Sequence, residues 1–165
     1  MTRQPEAATD DVVRQLLLDA FDLVHTHDGW IDDLPKSLRG VRTEQALWKP
    51  DAETPSIWEI TLHVNQWMED LIRDLRHEEA PKPEDWPAIT EPTDEAWQAT
   101  LDRTMDNLKT VRGLVVELKR EDLLLPPKGR KTPTFSRLMS ILVHDAYHAG
   151  QIVKMRQIMK AQGTR

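Results

Sequence analysis

The chain has 165 residues, enough for one domain that buries a core without staples, and it contains no cysteine. Disulfides, zinc ribbons and protein thiol nucleophiles are therefore excluded, and any thiol chemistry would need a thiol from outside. A net charge of −6 argues against a nucleic-acid partner, because affinity for phosphate backbones rests on clustered positive charge.

No stretch is long and apolar enough for a membrane span, and the first residues lack the apolar run of a secretory signal. The expectation is a soluble, cytoplasmic protein. Its charge is uneven: from Pro126 onward there are eight Lys or Arg against one acid, Asp145, whereas residues 1–125 carry 14 bases and 27 acids. Such an excess reads as a solvated face with cations at a helix C-terminus. The sharper alternative is a rim that attracts an anionic ligand.

Strand signals are nearly absent, and helical periodicity recurs four times. The first helix is expected from about Asp10 to Thr26, with Val12, Val13, Leu16, Leu17, Ala20, Leu23 and Val24 on one face and Thr9 as N-cap. Residues 28–55 carry short helical turns at best, such as Thr43–Leu47. The second helix spans about Ile57 to Arg76, along a stripe of Ile57, Ile60, Val64, Met68, Leu71 and Leu75. Ser56 followed by Glu59 is a capping box that fixes its start. Residues 77–92, rich in proline, could cover ~50 Å at ~3.3 Å per residue, more than the length of that helix. A crossover is thus permitted, with the second and third helices parallel.

The third helix follows Pro92-Thr93 and runs to about Lys119 through Trp97, Leu101, Met105, Leu108, Val111, Val115 and Leu118. The fourth runs from about Phe135 to Gln162, capped by Thr134 and ended by Gly163, with Leu138, Ile141, Leu142, Ile152, Met155 and Met159 as its apolar positions. The simplest packing solution is an all-α four-helix bundle in a single domain over residues 1–165.

Six histidines are present, and His144 and His148 stand four apart within the fourth helix. That spacing leaves their rings ~40° apart and ~6 Å along the axis, so both can bind one metal ion from a single face. Chance alone gives such a pair about one time in five, so the motif needs context. The pair shares a stripe with Ile141, Ile152 and Met155, where two adjacent imidazoles are costly to bury unless they find partners. His63, at the edge of the second helix's stripe, is the candidate third ligand. Three neutral imidazoles with an open position make a catalytic-type divalent site.

A metalloprotease fits poorly: His-Asp-Ala-Tyr-His shortens the base of His-Glu-x-x-His, and no suitable downstream ligand follows. A di-iron bundle wants two Glu-x-x-His pairs, and the chain has none. His25, His27 and His77 read as solvated surface residues. Glu59, one turn before His63, is either a partner for that imidazole or simply the capping box. Gln151 and Tyr147 flank the pair, and Gln151 could hydrogen-bond a bound ligand. Asp145 lies one residue off the ligand face; a proton acceptor is conceivable there, but helix or solvent is the expected setting. Gly150 in mid-helix suggests a close helix approach. Trp58 and Trp67 are read as core, with a substrate mouth as the other option.

At these residues the chain resembles the DinB-like family of helical bundles. The resemblance covers about Val12 to Met159 and rests on His144-Asp-Ala-Tyr-His148-Ala-Gly-Gln-Ile152 with Arg156, and on Ser56-Ile-Trp-Glu-Ile-Thr-Leu-His63. Thr43-Glu-Gln-Ala-Leu-Trp48-Lys-Pro50 and Asp85-Trp86-Pro87 support it. It implies an up-down-down-up bundle and one metal ion on His63, His144 and His148. Its characterised members include transferases and isomerases that use low-molecular-weight thiols such as bacillithiol or mycothiol. Others are labelled metal-dependent hydrolases by analogy, homodimers are common, and the family does not bind DNA.

The resulting expectation is a metal-dependent enzyme that activates a thiol or water toward a small-molecule substrate, with zinc or nickel, or else iron or manganese, as the ion. Gln151 and Arg156 are the residues expected to meet a thiol cofactor, Arg156 through its charge. The alternative is a non-catalytic metal-binding or scaffold bundle.

Overall fold

The structure, a computed structural model, describes residues 5–26, 32–79 and 81–163; His27 lies outside them. These residues form helices without strands. Four helices are long: α1 (Pro5–His25), α4 (Ile57–Leu75), α5 (Asp94–Glu117) and α7 (Thr134–Ala161). Three are short: α2 (Leu34–Leu38), α3 (Thr43–Leu47) and α6 (Arg120–Leu124). α4 packs against α5 and α7, and α1 packs against the same two. α2 lies on α1 and α7, and α3 on α4 and α5.

α4 is the most buried of the long helices, and its whole expected stripe from Ile57 to Leu75 is interior. Its start follows the capping box: Ser56 Oγ accepts from Glu59 N at 3.2 Å, and Ser56 N donates to Glu59 Oε2 at 2.7 Å. Its polar residues toward α5 are satisfied across the seam. Trp58 Nε1 donates to Thr100 Oγ1 at 3.1 Å, Asn65 Nδ2 to Thr100 O at 3.2 Å, and Asn107 Nδ2 to Asn65 Oδ1 at 3.4 Å. Trp58 is thus a core residue. Met105, expected in the core, is instead 39% exposed, and Thr104 takes the interior position with its hydroxyl on Thr100 O.

α1 departs from its expected face and start. It begins at Pro5, whose fixed φ suits a first helical turn, so Thr9 lies within the helix and is not its cap. Leu17 and Phe21 are buried, while Val12, Leu16 and Leu23 are exposed at 58%, 63% and 48%. At 100° per residue those three fall within ~40° of one another, on the edge that α5 and α7 leave open.

α7 starts one residue earlier than expected. Pro133 occupies the N-cap, and Thr134 sends both N (3.0 Å) and Oγ1 (2.9 Å) to Leu125 O, tying the helix to the end of α6. Gly163, at φ 70°, ends the helix as expected. Gly150 is exposed, and a Cβ added there would meet nothing within 4 Å, so no close helix approach explains it.

Two cations of the basic C-terminal region are neither solvated nor on a rim. Arg130 donates to Asp70 (2.5 Å) and Asp74 (2.8 Å), and Arg137 donates to Asp70 at 2.7 Å with its Nε against Asp74. Both carboxylates are interior on α4, so the network clamps the loop before α7, and its first turns, to α4.

Candidate metal centre

His63 stands three residues after Ile60 and one before Val64, both fully interior, so the α4 stripe carries its ring inward to 6% exposure. On α7, Ile141 and Ile152 bracket His144 and His148 on the buried side; His148 is 5% exposed and His144 half-buried. The three rings converge. Nε2 of His63 and Nε2 of His144 are 2.8 Å apart, the ring centroids of each pair lie 4.4–4.9 Å apart, and one nitrogen from each residue falls within 4.8 Å of the others.

The outward nitrogen of each ring is occupied. His63 Nδ1 donates to Asp85 O at 2.5 Å, His144 Nδ1 to Asp145 Oδ1 at 3.0 Å, and His148 Nδ1 to Gln151 Oε1 at 2.7 Å. A backbone carbonyl and a carboxylate can only accept, and Gln151 presents its oxygen, so each Nδ1 carries the proton. Nε2 is then the lone-pair nitrogen in all three. Two lone pairs 2.8 Å apart repel unless a cation lies between them or one ring takes a second proton. Three converging lone pairs, each fixed by an outer hydrogen bond, suit a divalent ion.

Electrostatics favours the same protonation state. Burial, and next the neighbouring His144, lowers the His148 pKa to about 4. Burial likewise lowers His63, against the raising effect of its bond to Asp85. Both therefore stand ready as neutral ligands. Burial would raise Asp145, but hydrogen bonds from His144 and His25 outweigh it and hold the carboxyl below its ordinary range.

The segment before α5 supplies parts of the site that periodicity does not reveal. Asp85 gives its carbonyl to His63, and Trp67 Nε1 holds the Asp85 carboxylate at 2.9 Å. Trp86 stacks on His63 with centroids 4.1 Å apart and planes 12° apart, and it meets His148 edge-on. Beside it a groove of about 490 Å³ opens between Trp86, Pro87, Lys49 and Glu59. The Asp-Trp-Pro triplet was the available signal, but nothing in its spacing places it over the histidines.

Other candidates fall elsewhere. Glu59 completes the capping box and pairs with Lys49 at 2.8 Å, while the outward nitrogen of His63 goes to Asp85. Gln151 bridges His148 and the Tyr147 hydroxyl, which accepts from Gln151 Nε2 at 3.0 Å. Arg156 is not drawn to the histidines: its Nη1 donates to Ser37 O at 2.6 Å, and it lines a separate cavity of about 760 Å³ with Lys36 and Lys160. His77 is exposed, as expected.

Two expectations are overturned. His25 is 1% exposed rather than solvated, and Asp145, expected to face helix or solvent, is fully buried against α1 rather than solvated. They meet at 3.0 Å, His25 Nε2 on Asp145 Oδ2. Their register carried a signal: His25 follows Leu17 and Phe21 at intervals of four, and Asp145 lies seven residues from both Leu138 and Ile152.

The model of the DinB superfamily matches residues 25–152, well over half of the chain. No curated protein and no solved structure matches significantly.

Proposed function

Because the chain belongs to the DinB superfamily, we propose that it is an enzyme that holds one divalent ion on His63, His144 and His148 and activates a small thiol or water toward a small-molecule substrate. The observation that carries this reading is the outer hydrogen bond on each Nδ1, which leaves three Nε2 atoms to share one cation. A bound ion would supply Lewis acidity, stabilising a thiolate or hydroxide near neutral pH.

The chain's own residues do the rest. Asp85, Asp145 and Gln151 fix the ligand rings, and the Trp86 indole covers one side of His63, which shields that side from water. With no cysteine in the chain, the thiol comes from outside. Gln151, which holds His148 and the Tyr147 hydroxyl, is the side chain that would meet such a thiol beside the histidines. Arg156, eight residues beyond His148 and so ~12 Å along α7, lines a separate cavity with Lys160 and would reach the carboxylates only of a thiol long enough to span that distance. Zinc or nickel is the preferred ion, with iron or manganese as the other imidazole-compatible choices.

We further propose an up-down-down-up order of the four long helices, with the segment between α4 and α5 as the crossover, and a cytoplasmic homodimer that engages neither nucleic acid nor membrane. Among the described residues no helix is long and apolar enough to cross a membrane.

Elemental analysis and metal titration test the site, with one ion per chain expected. No metal in the purified protein together with no saturable binding would overturn it. A panel of bacillithiol, mycothiol, glutathione and coenzyme A with a chromogenic electrophile then tests the chemistry, with a metal-dependent rate expected. Ester or amide hydrolysis without thiol transfer would select the water reading, and silence in both assays would leave a metal-binding scaffold.

A further inference from the structure

His25 is buried near the end of α1, 120 positions in sequence from its partner Asp145 on α7. Both its ring nitrogens face acceptors: Nδ1 meets Phe21 O at 3.1 Å and Nε2 meets Asp145 Oδ2 at 3.0 Å, while the Phe21 ring packs against it at 4.3 Å. Asp145 has no solvent exposure, and its other oxygen accepts from His144 Nδ1 at 3.0 Å. A continuous buried chain thus runs from the Phe21 carbonyl through His25 and Asp145 to His144. α1 donates no ligand itself.

A carboxylate on a fully buried helix position can turn about its own torsions unless both oxygens are held. If only His144 held it, it would be an under-satisfied anion in a dry interior, free to swing with that ring. His25 supplies the second anchor. We infer that His25 is a positioning residue of the centre: it fixes Asp145, and Asp145 fixes the His144 imidazole and strengthens it as a ligand. α1 thereby becomes part of the site's outer frame. The inference rests on the metal reading above.

Two substitutions separate the role from mere packing. In His25→Asn the amide takes the place of Nδ1 and loses the reach to Asp145; in His25→Gln the amide reaches where Nε2 stood. Affinity for zinc, measured by chelator competition, should fall about tenfold in His25→Asn and return to near the wild-type value in His25→Gln. The visible spectrum of the cobalt(II)-loaded protein should shift in the first variant and not in the second, with helical circular dichroism kept in both.

A measurement on the unaltered protein covers the case in which His25→Asn does not fold. The His25 ring N–H toward Asp145 should give a downfield, slowly exchanging proton resonance that moves when zinc is added. Wild-type zinc affinity and spectrum in a folded His25→Asn, or a His25 resonance indifferent to zinc, would overturn the positioning role while leaving the metal centre standing. A wild-type protein that binds no metal would overturn both.

Discussion

Gln151 accepts from His148 Nδ1 at 2.7 Å and so holds the ring whose pKa is lowered to about 4. Gln151→Leu removes that acceptor without touching a ligand, and should weaken metal binding by about 10–100-fold in chelator competition. An unchanged affinity would show that the ring is held by packing alone. His63→Ala and His144→Ala should abolish binding with helicity kept. His77→Asn, at an exposed residue with φ 58°, should bind normally, since Asn tolerates that backbone region. If His77→Asn lost the metal, the ligand assignment would be incomplete.

Helix ends and one mid-helix glycine set the local stabilities. The Ser56 hydroxyl caps α4 directly, so Ser56→Ala should cost about 1 kcal/mol in denaturant unfolding. Gly150 makes the opposite case. It is exposed in mid-α7 with nothing within 4 Å of an added Cβ, so Gly150→Ala should stabilise by roughly 0.5–1 kcal/mol and leave metal affinity intact. A destabilised Gly150→Ala variant would mean that the open space seen there is filled in solution.

Across the whole molecule, protonation and buried charge make stability depend on pH and on the α4–α7 ion pairs. An unfolded histidine binds its proton near pH ~6.5, whereas His148 in the folded chain does so only at about 4, and His63 is lowered too. Between those values the unfolded state holds more protons. The contribution of these two rings to metal-free stability is therefore fully present above ~6.5 and is lost as pH falls toward 4. Thermal melts in chelator should show the midpoint dropping through that window; a flat or rising midpoint would contradict neutral, buried rings. Arg137→Leu should cost on the order of 3 kcal/mol, because it strips a donor from each of two interior carboxylates and leaves Asp74 to Arg130, and Asp70 to Arg130 and the more distant Arg73. A loss below ~1 kcal/mol would mean that water reaches Asp70 and Asp74.

Local signals in the sequence determined the long helices and the spacing of the histidine pair. The Ser56–Glu59 box, the period of three and four in α4 and α7, and the four-residue interval of His144 and His148 each depend on neighbours along the chain, and each stands in the structure, whereas the α5 stripe is broken at Met105. His63 is readable as the third member of the histidine cluster because it borders an apolar stripe. What needed the tertiary structure was which part of each broad apolar face is covered. Val12, Leu16 and Leu23 repeat as helix-face residues do, yet only the positions of α5 and α7 decide that this edge stays open. His25 and Asp145 read as surface groups for the same reason: a charged or polar residue on a core register is buried only if a distant partner meets it, and that partner lies on another helix. Asp85 and Trp86 sit in a proline-rich segment without periodicity, so only the return of that segment over α4 and α7 brings them to the histidines.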